Sequence, residues 1–81
     1  MKHYRKLFLK TGDLVVHIHY PQWGIGEVVE STESVLAGGG CYVKVIFEDG
    51  DLRIFNNDLE SEWCCYYFGI RRCDENGKIY R

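Results

Sequence analysis

The sequence predicts an all-β fold: a small barrel of about five short strands with an added C-terminal β-hairpin. Three observations carry this expectation. Runs rich in β-branched residues are bounded by clusters of Gly, Pro, Asn and Asp. Cys41 to Phe47 alternates cleanly, so Val43, Val45 and Phe47 share one face and Tyr42, Lys44 and Ile46 the other. The 81 residues contain one proline and nine glycines, a composition that suits strands joined by tight turns.

Taken in order, residues 1–11 form a basic N-terminal segment, 12–62 the barrel and 63–81 the hairpin packed on it. Leu14 to His19 reads as the first strand. Tyr20-Pro21-Gln22-Trp23-Gly24 interrupts it, because Pro21 lacks a backbone donor and Gly24 accepts positive φ. Ile25 to Ser31 is the second strand, with a bulge or bend expected at Gly26. Ser34 to Gly40 is a loop tipped by Gly38-Gly39-Gly40. Val43, Val45 and Phe47 of the third strand face the core. Asp49-Gly50 signals a two-residue hairpin to Leu52–Phe55. Asn56-Asn57-Asp58 suits a 3₁₀-like turn before a last short strand at Leu59. Beyond Glu62, Trp63-Cys64-Cys65-Tyr66-Tyr67-Phe68-Gly69-Ile70 is too apolar for a solvated tail. Asn76-Gly77 offers a turn through which Lys78-Ile79-Tyr80 returns as a strand, near Tyr4, Leu7 and Phe8.

A chain of this length has room for one small core and no large enclosed cofactor pocket. No apolar run approaches the ~20 residues of a membrane span. Met1 to Lys6 lacks the apolar stretch of a secretory signal, so the expected location is cytoplasmic. Net charge is −2, but the charges are segregated. The N-terminal segment carries Lys2, Arg5, Lys6 and Lys10 and no acid. The barrel is acidic, with Lys44 and Arg53 as its only cations apart from histidine. The tail turns basic again through Arg71, Arg72, Lys78 and Arg81. An acidic barrel repels a nucleic-acid backbone, whereas basic ends attract it.

The run Gly12-Asp13-Leu14-Val15-Val16-His17, then Trp23-Gly24-Ile25-Gly26, then Phe47-Glu48-Asp49-Gly50 resembles a known pattern. It is similar to the Tudor-like, SH3-like barrels at the C-terminus of UvrD-type helicases. It also resembles the RNA-polymerase-interacting domains of CarD and of transcription-repair coupling factors. The resemblance implies an SH3/Tudor-like barrel that docks on a protein, with RNA polymerase the leading partner. It carries over Gly12, Asp13, Val15, His17, Trp23, Gly24, Gly26, Val28, Phe47, Asp49 and Gly50 as strand and turn residues. This chain departs from the pattern by Ile18-His19-Tyr20-Pro21-Gln22 before the turn and by its long Gly-rich loop.

The cysteines, Cys41, Cys64, Cys65 and Cys73, include no Cys-x-x-Cys pair. Adjacent Cys64 and Cys65 point to opposite faces if they lie on a strand. The expectation is buried, reduced thiols and no metal or other cofactor; a site built from Cys65, Cys73, His17 and His19 is the alternative. His17 and His19 share a face if their strand is regular, a spacing that can ligate a metal. The resemblance instead implies a structural, hydrogen-bonded His17. Gly24-Ile25-Gly26 lacks the third glycine and βαβ context of a dinucleotide site. Asp49 and Asp51 flank a hairpin tip, which reads as solvated. Tyr20, Trp23, Tyr42 and Phe55 fall near loop ends, where they either form a cage or stacking platform or, for Trp23 and Phe55, fill the core.

With no Ser-His-Asp order, P-loop or paired carboxylates, the expected function is a non-enzymatic protein-interaction module. It would dock through an exposed strand edge, with Tyr20, Trp23, Tyr42 and Phe55 as candidate contact residues. The alternative is a nucleic-acid-binding barrel using Lys2, Arg5, Lys6, Lys10, Arg71 and Arg72. A metal or small-molecule site, or a minor enzyme activity, is a third reading.

Overall fold

The computed structural model describes residues 6–33 and 40–80. Lys2, Tyr4, Arg5, Arg81 and the loop tip at 34–39 lie outside the described residues. The fold is all-β. Its strands are β1 (Leu14–His17), β2 (Gly26–Glu33), β3 (Cys41–Phe47), β4 (Leu52–Asn56) and β5 (Ile70–Cys73). They form one sheet in the order β4-β3-β2-β1-β5, and every neighbouring pair is antiparallel. The sheet curls into a half-barrel, an architecture compatible with an SH3/Tudor-like barrel.

The period-2 pattern of β3 sets the core. Cys41, Val43, Val45 and Phe47 are buried, whereas Tyr42 and Ile46 are exposed and Lys44 is half-buried. Val15, Val28, Leu9, Ile70, Cys64 and Cys65 complete the packing, with Phe8, Trp23, Phe55 and Leu59 against its margin.

Several elements differ in detail from the expectation. β1 ends at His17 rather than His19. The chain turns there, with the Tyr20 N–H donating to the His17 carbonyl at 3.1 Å. The irregularity in β2 falls between Val28 and Glu30, not at Gly26. Gly26 has another role, because a Cβ there would lie 2.6 Å from Val45 Cγ1 and 2.8 Å from the Phe47 ring. It is the close-approach point at which β2 pairs with both β1 and β3. The β3–β4 hairpin has a three-residue loop, 48–50, rather than two. Gly50 N–H donates to the Phe47 carbonyl at 2.9 Å, and Phe47 N–H donates to the Asp51 carbonyl at 3.1 Å. Gly50 at φ 90° supplies the left-handed residue that this loop requires.

The C-terminal segment is a member of the sheet. β5 pairs with β1 from Leu14↔Cys73 to His17↔Ile70 and supplies the fifth strand expected at Leu59. Leu59 instead donates its N–H to the Lys6 carbonyl at 2.8 Å. The hairpin return is a single bridge, Cys73↔Ile79, closed by a turn over Asp74. No 3₁₀ turn forms at 56–58; 3₁₀ turns fall at Pro21–Trp23 and Cys65–Phe68. The four-residue turn and its flanks place Cys64, Cys65 and Ile70 inward while Trp63, Tyr66, Tyr67 and Phe68 stay exposed. The burial expected of that whole aromatic run is therefore only partial.

Candidate protein-interaction surface

Four aromatic side chains were candidates for one contact surface, and the fold separates them. Tyr20 and Trp23 flank the 3₁₀ turn Pro21–Trp23 and stack, with ring centroids 4.7 Å apart and planes 9° apart. Trp23 also packs edge-on against Phe47 at 5.2 Å. The Arg53 guanidinium lies 3.7 Å from the Trp23 centroid. Trp23 thus already holds a cation and a ring, so the cation–π capacity of this cluster is used by the chain itself. Arg53 is fixed in place by Asp49 at 2.9 Å and Asp51 at 3.5 Å. The hydrogen bond to Arg53 holds the Asp49 carboxyl below its ordinary pKa and raises that of Arg53. Phe55 is half-buried, edge-on to Phe47 at 6.1 Å. Tyr42 lies on the outward face of β3, away from the side on which Trp23 packs against Phe47.

His17 is buried beneath this cluster, 4.7 Å from the Tyr20 ring and 5.0 Å from Trp23. Its Nδ1 accepts the His19 N–H at 3.1 Å. Burial, followed by the nearby His19 charge, lowers its pKa from the ordinary 6.5. The turn after His17 removes the regular strand on which the two imidazoles would share a face. Among the described residues no group of three or more His, Cys, Asp or Glu is placed to hold a metal. All four cysteines are buried and unbridged. Burial pushes the Cys65 thiol up to about 12 and raises those of Cys64 and Cys73.

The described basic candidates are mostly occupied. Lys10 and Arg72 converge on Asp13, at 3.1 and 3.6 Å. Arg71 donates to the Tyr66 and Ile70 carbonyls and lies 4.2 Å from the Tyr66 ring centroid. Lys6 is exposed beside the bridge Leu7↔Asp58. Lys2 and Arg5 lie outside the described residues.

The edges of the sheet differ from each other. β5 is covered in part by its own return, with Tyr80 N–H donating to the Arg72 carbonyl at 3.0 Å. β4 carries little cover. Antiparallel ladders alternate hydrogen-bonded and non-hydrogen-bonded pairs. Phe47 N–H bonds the Asp51 carbonyl, and Asn57 N–H bonds the Cys41 carbonyl at 2.8 Å. This parity directs the backbone groups of residues 51, 53, 55 and 57 toward β3. Those of Leu52, Ile54 and Asn56 point away. Cys64 bridges Asn56 in parallel, which leaves the N–H and C=O of Leu52 and Ile54 open among the described residues.

The side chains of these two residues are 50% and 58% exposed. They extend an outward apolar patch through the cross-strand pairs Ile46↔Leu52 and Lys44↔Ile54, with Tyr42 alongside. β4 has none of the usual edge protections: no proline, no outward lysine, no bulge. Its one charge, Arg53, is turned inward onto Trp23. Sequence reasoning marked β4 as a strand without singling out Leu52 and Ile54. The available signal was the lack of edge-protecting residues in Leu-Arg-Ile-Phe-Asn, which becomes informative only once β4 is known to lie at an edge. Trp63 and Phe68, exposed and stacked at 6.2 Å with planes 7° apart, were expected to be packed on the barrel.

No helix among the described residues is long and apolar enough to cross a membrane. Comparison with protein-family models, with curated proteins and with solved structures finds no match to this chain.

Proposed function

We propose that this protein is a non-enzymatic interaction module that docks a protein partner by strand addition at β4. One observation carries the reading: β4 is an open, apolar edge whose Leu52 and Ile54 backbone groups lack partners among the described residues. Main-chain hydrogen bonds along such an edge supply affinity, and alternate side chains supply selectivity. The motif resemblance favours RNA polymerase or another transcription or DNA-repair protein as the partner, in the cytoplasm.

The second reading is nucleic-acid binding, supported by the convergence of Lys10 and Arg72. Asp13 between them weakens the field that phosphate would meet. Titration against RNA polymerase and against single- and double-stranded DNA, at low and moderate salt, separates the two. Docking at the edge tolerates moderate salt, whereas phosphate binding collapses as counterions are released. DNA binding that falls steeply with salt, without polymerase binding, overturns the first reading.

A further inference from the structure

The docking edge has an electrostatic frame that specifies what adds to it. Its outward rows run Glu27–Ile46–Leu52 and Glu30–Lys44–Ile54 across β2, β3 and β4. The next position in each row belongs to the docked strand. Leu52 and Ile54 therefore call for two apolar side chains at alternate positions, in cross-strand contact at ~5 Å between Cβ atoms.

Both ends of the open stretch are acidic. At the hairpin end a single guanidinium, Arg53, serves two carboxylates and lies nearer Asp49, at 2.9 Å, than Asp51, at 3.5 Å. The Asp51 side chain is largely exposed, and that corner keeps a net negative charge. At the other end, Cys64 takes the outer position beside Asn56, so a docked strand runs up against residues 61–64. Glu60 and Glu62 are exposed there and have no ion pair among the described residues. Trp63 is 66% exposed and stacked on Phe68, an open aromatic face for a planar cation. Of the barrel's cations, Lys44 sits 3.6 Å from Glu30 and Arg53 is already shared. Lys6 is exposed and its carbonyl accepts the Leu59 N–H beside Glu60, so the Glu60–Glu62 end sets two carboxylates against one lysine and stays net acidic.

Resting on the docking reading above, we infer that the partner segment is an extended strand with two alternating apolar residues flanked by basic ones, an arginine lying at the Trp63 end. A second copy of this chain fits poorly. Antiparallel pairing of two β4 strands would bring Asp51 of one protomer toward Glu60 and Glu62 of the other.

The test uses two capped heptapeptides, Arg-Thr-Val-Thr-Val-Thr-Arg and the same sequence with Glu at both ends, titrated into the full chain by NMR. The expected result is that the Arg peptide shifts the Leu52 and Ile54 amide signals and the Trp63 indole signal. It should bind at least about tenfold tighter than the Glu peptide, since two exposed ion pairs change sign, and salt should narrow the gap. The second arm is Leu52→Pro. Proline is tolerated at the first residue of an edge strand, and the Leu52 N–H faces away from β3, so the fold should persist while Arg-peptide binding is lost.

Equal binding of both peptides, abolished by Leu52→Pro, overturns the charge inference and leaves edge docking standing. Absence of any shift at Leu52 and Ile54 with either peptide overturns both. A concentration-dependent dimer dissolved by Leu52→Pro makes a second copy the occupant and likewise overturns the inference.

Discussion

Asn57 satisfies both backbone polar groups of Leu9. Its Oδ1 accepts the Leu9 N–H at 2.7 Å, and its Nδ2 donates to the Leu9 carbonyl at 2.8 Å. The Asn57 main chain meanwhile donates to Cys41 at 2.8 Å and accepts from Phe8 N–H at 3.0 Å. With 0% exposure, this one amide side chain ties the N-terminal segment to the end of β4 without leaving a polar group unpaired.

Asn57→Ala should therefore destabilise far more than an ordinary polar-to-alanine change. It strands the buried N–H and C=O of Leu9, each costing about 1–3 kcal/mol, for a total of about 2–6 kcal/mol. Urea denaturation measures this. A loss below about 0.5 kcal/mol, the range of surface substitutions, would show that the clamp carries no weight.

Truncation after Glu62 should abolish the stable fold. The deleted residues include all of β5, which pairs with β1 over four registered positions, and the buried Cys64, Cys65 and Ile70. Loss of dispersed amide signals and of cooperative melting is the expected outcome. A soluble 1–62 fragment with the wild-type melting temperature would contradict it.

Stability should depend on pH through His17. Its folded pKa is lowered, by burial first and by the His19 charge second, so the folded state prefers the neutral ring. The unfolded state then binds more protons over the interval below 6.5, and stability rises with pH there. The contribution of His17 is complete above 6.5 and is lost as pH falls through the lowered folded value. His17→Gln, which keeps an acceptor for the His19 N–H, should flatten that slope. Denaturation curves of both proteins between pH 5 and pH 7.5 measure the difference, and parallel slopes would count against it.

The four thiols should resist modification in the native state. All are buried, and burial raises the pKa of Cys65 to about 12 and raises those of Cys64 and Cys73. A thiol-reactive dye at neutral pH should label them only at the rate of unfolding, and elemental analysis should find no bound zinc. Fast labelling of native protein, or one zinc per chain, would overturn the expectation.

Much of the fold was legible in local pattern. Val43, Val45 and Phe47 could be placed inward because side chains alternate along a strand, and the burial of β3 follows that parity residue by residue. The turn at residue 50 was legible because Asp49-Gly50 supplies the left-handed position, although the loop is one residue longer. The Trp63–Ile70 run was harder to read. Hydrophobicity there implies burial, yet a 3₁₀ turn directs Cys64, Cys65 and Ile70 inward and leaves three of the large aromatics more than half exposed. Of the candidate contact residues, Tyr20 and Trp23 come together on the side to which Phe47 points, and Tyr42 lies on the outward face, because separation in space depends on pairings distant in sequence.

By itself the sequence determined the all-β class, the inward parity of β3 and the punctuation between strands. These follow from backbone stereochemistry and from a side-chain period that acts within a few residues. Tertiary structure alone decided that β5 closes one flank of the sheet on β1 while β4 remains an edge. It also decided that Arg53 reaches Trp23 from thirty positions away and fills the site that the aromatic spacing had suggested. Strand order and edge exposure depend on which distant segments pair, a choice made by total burial and hydrogen-bond satisfaction across the whole chain. No window of neighbouring residues contains that information.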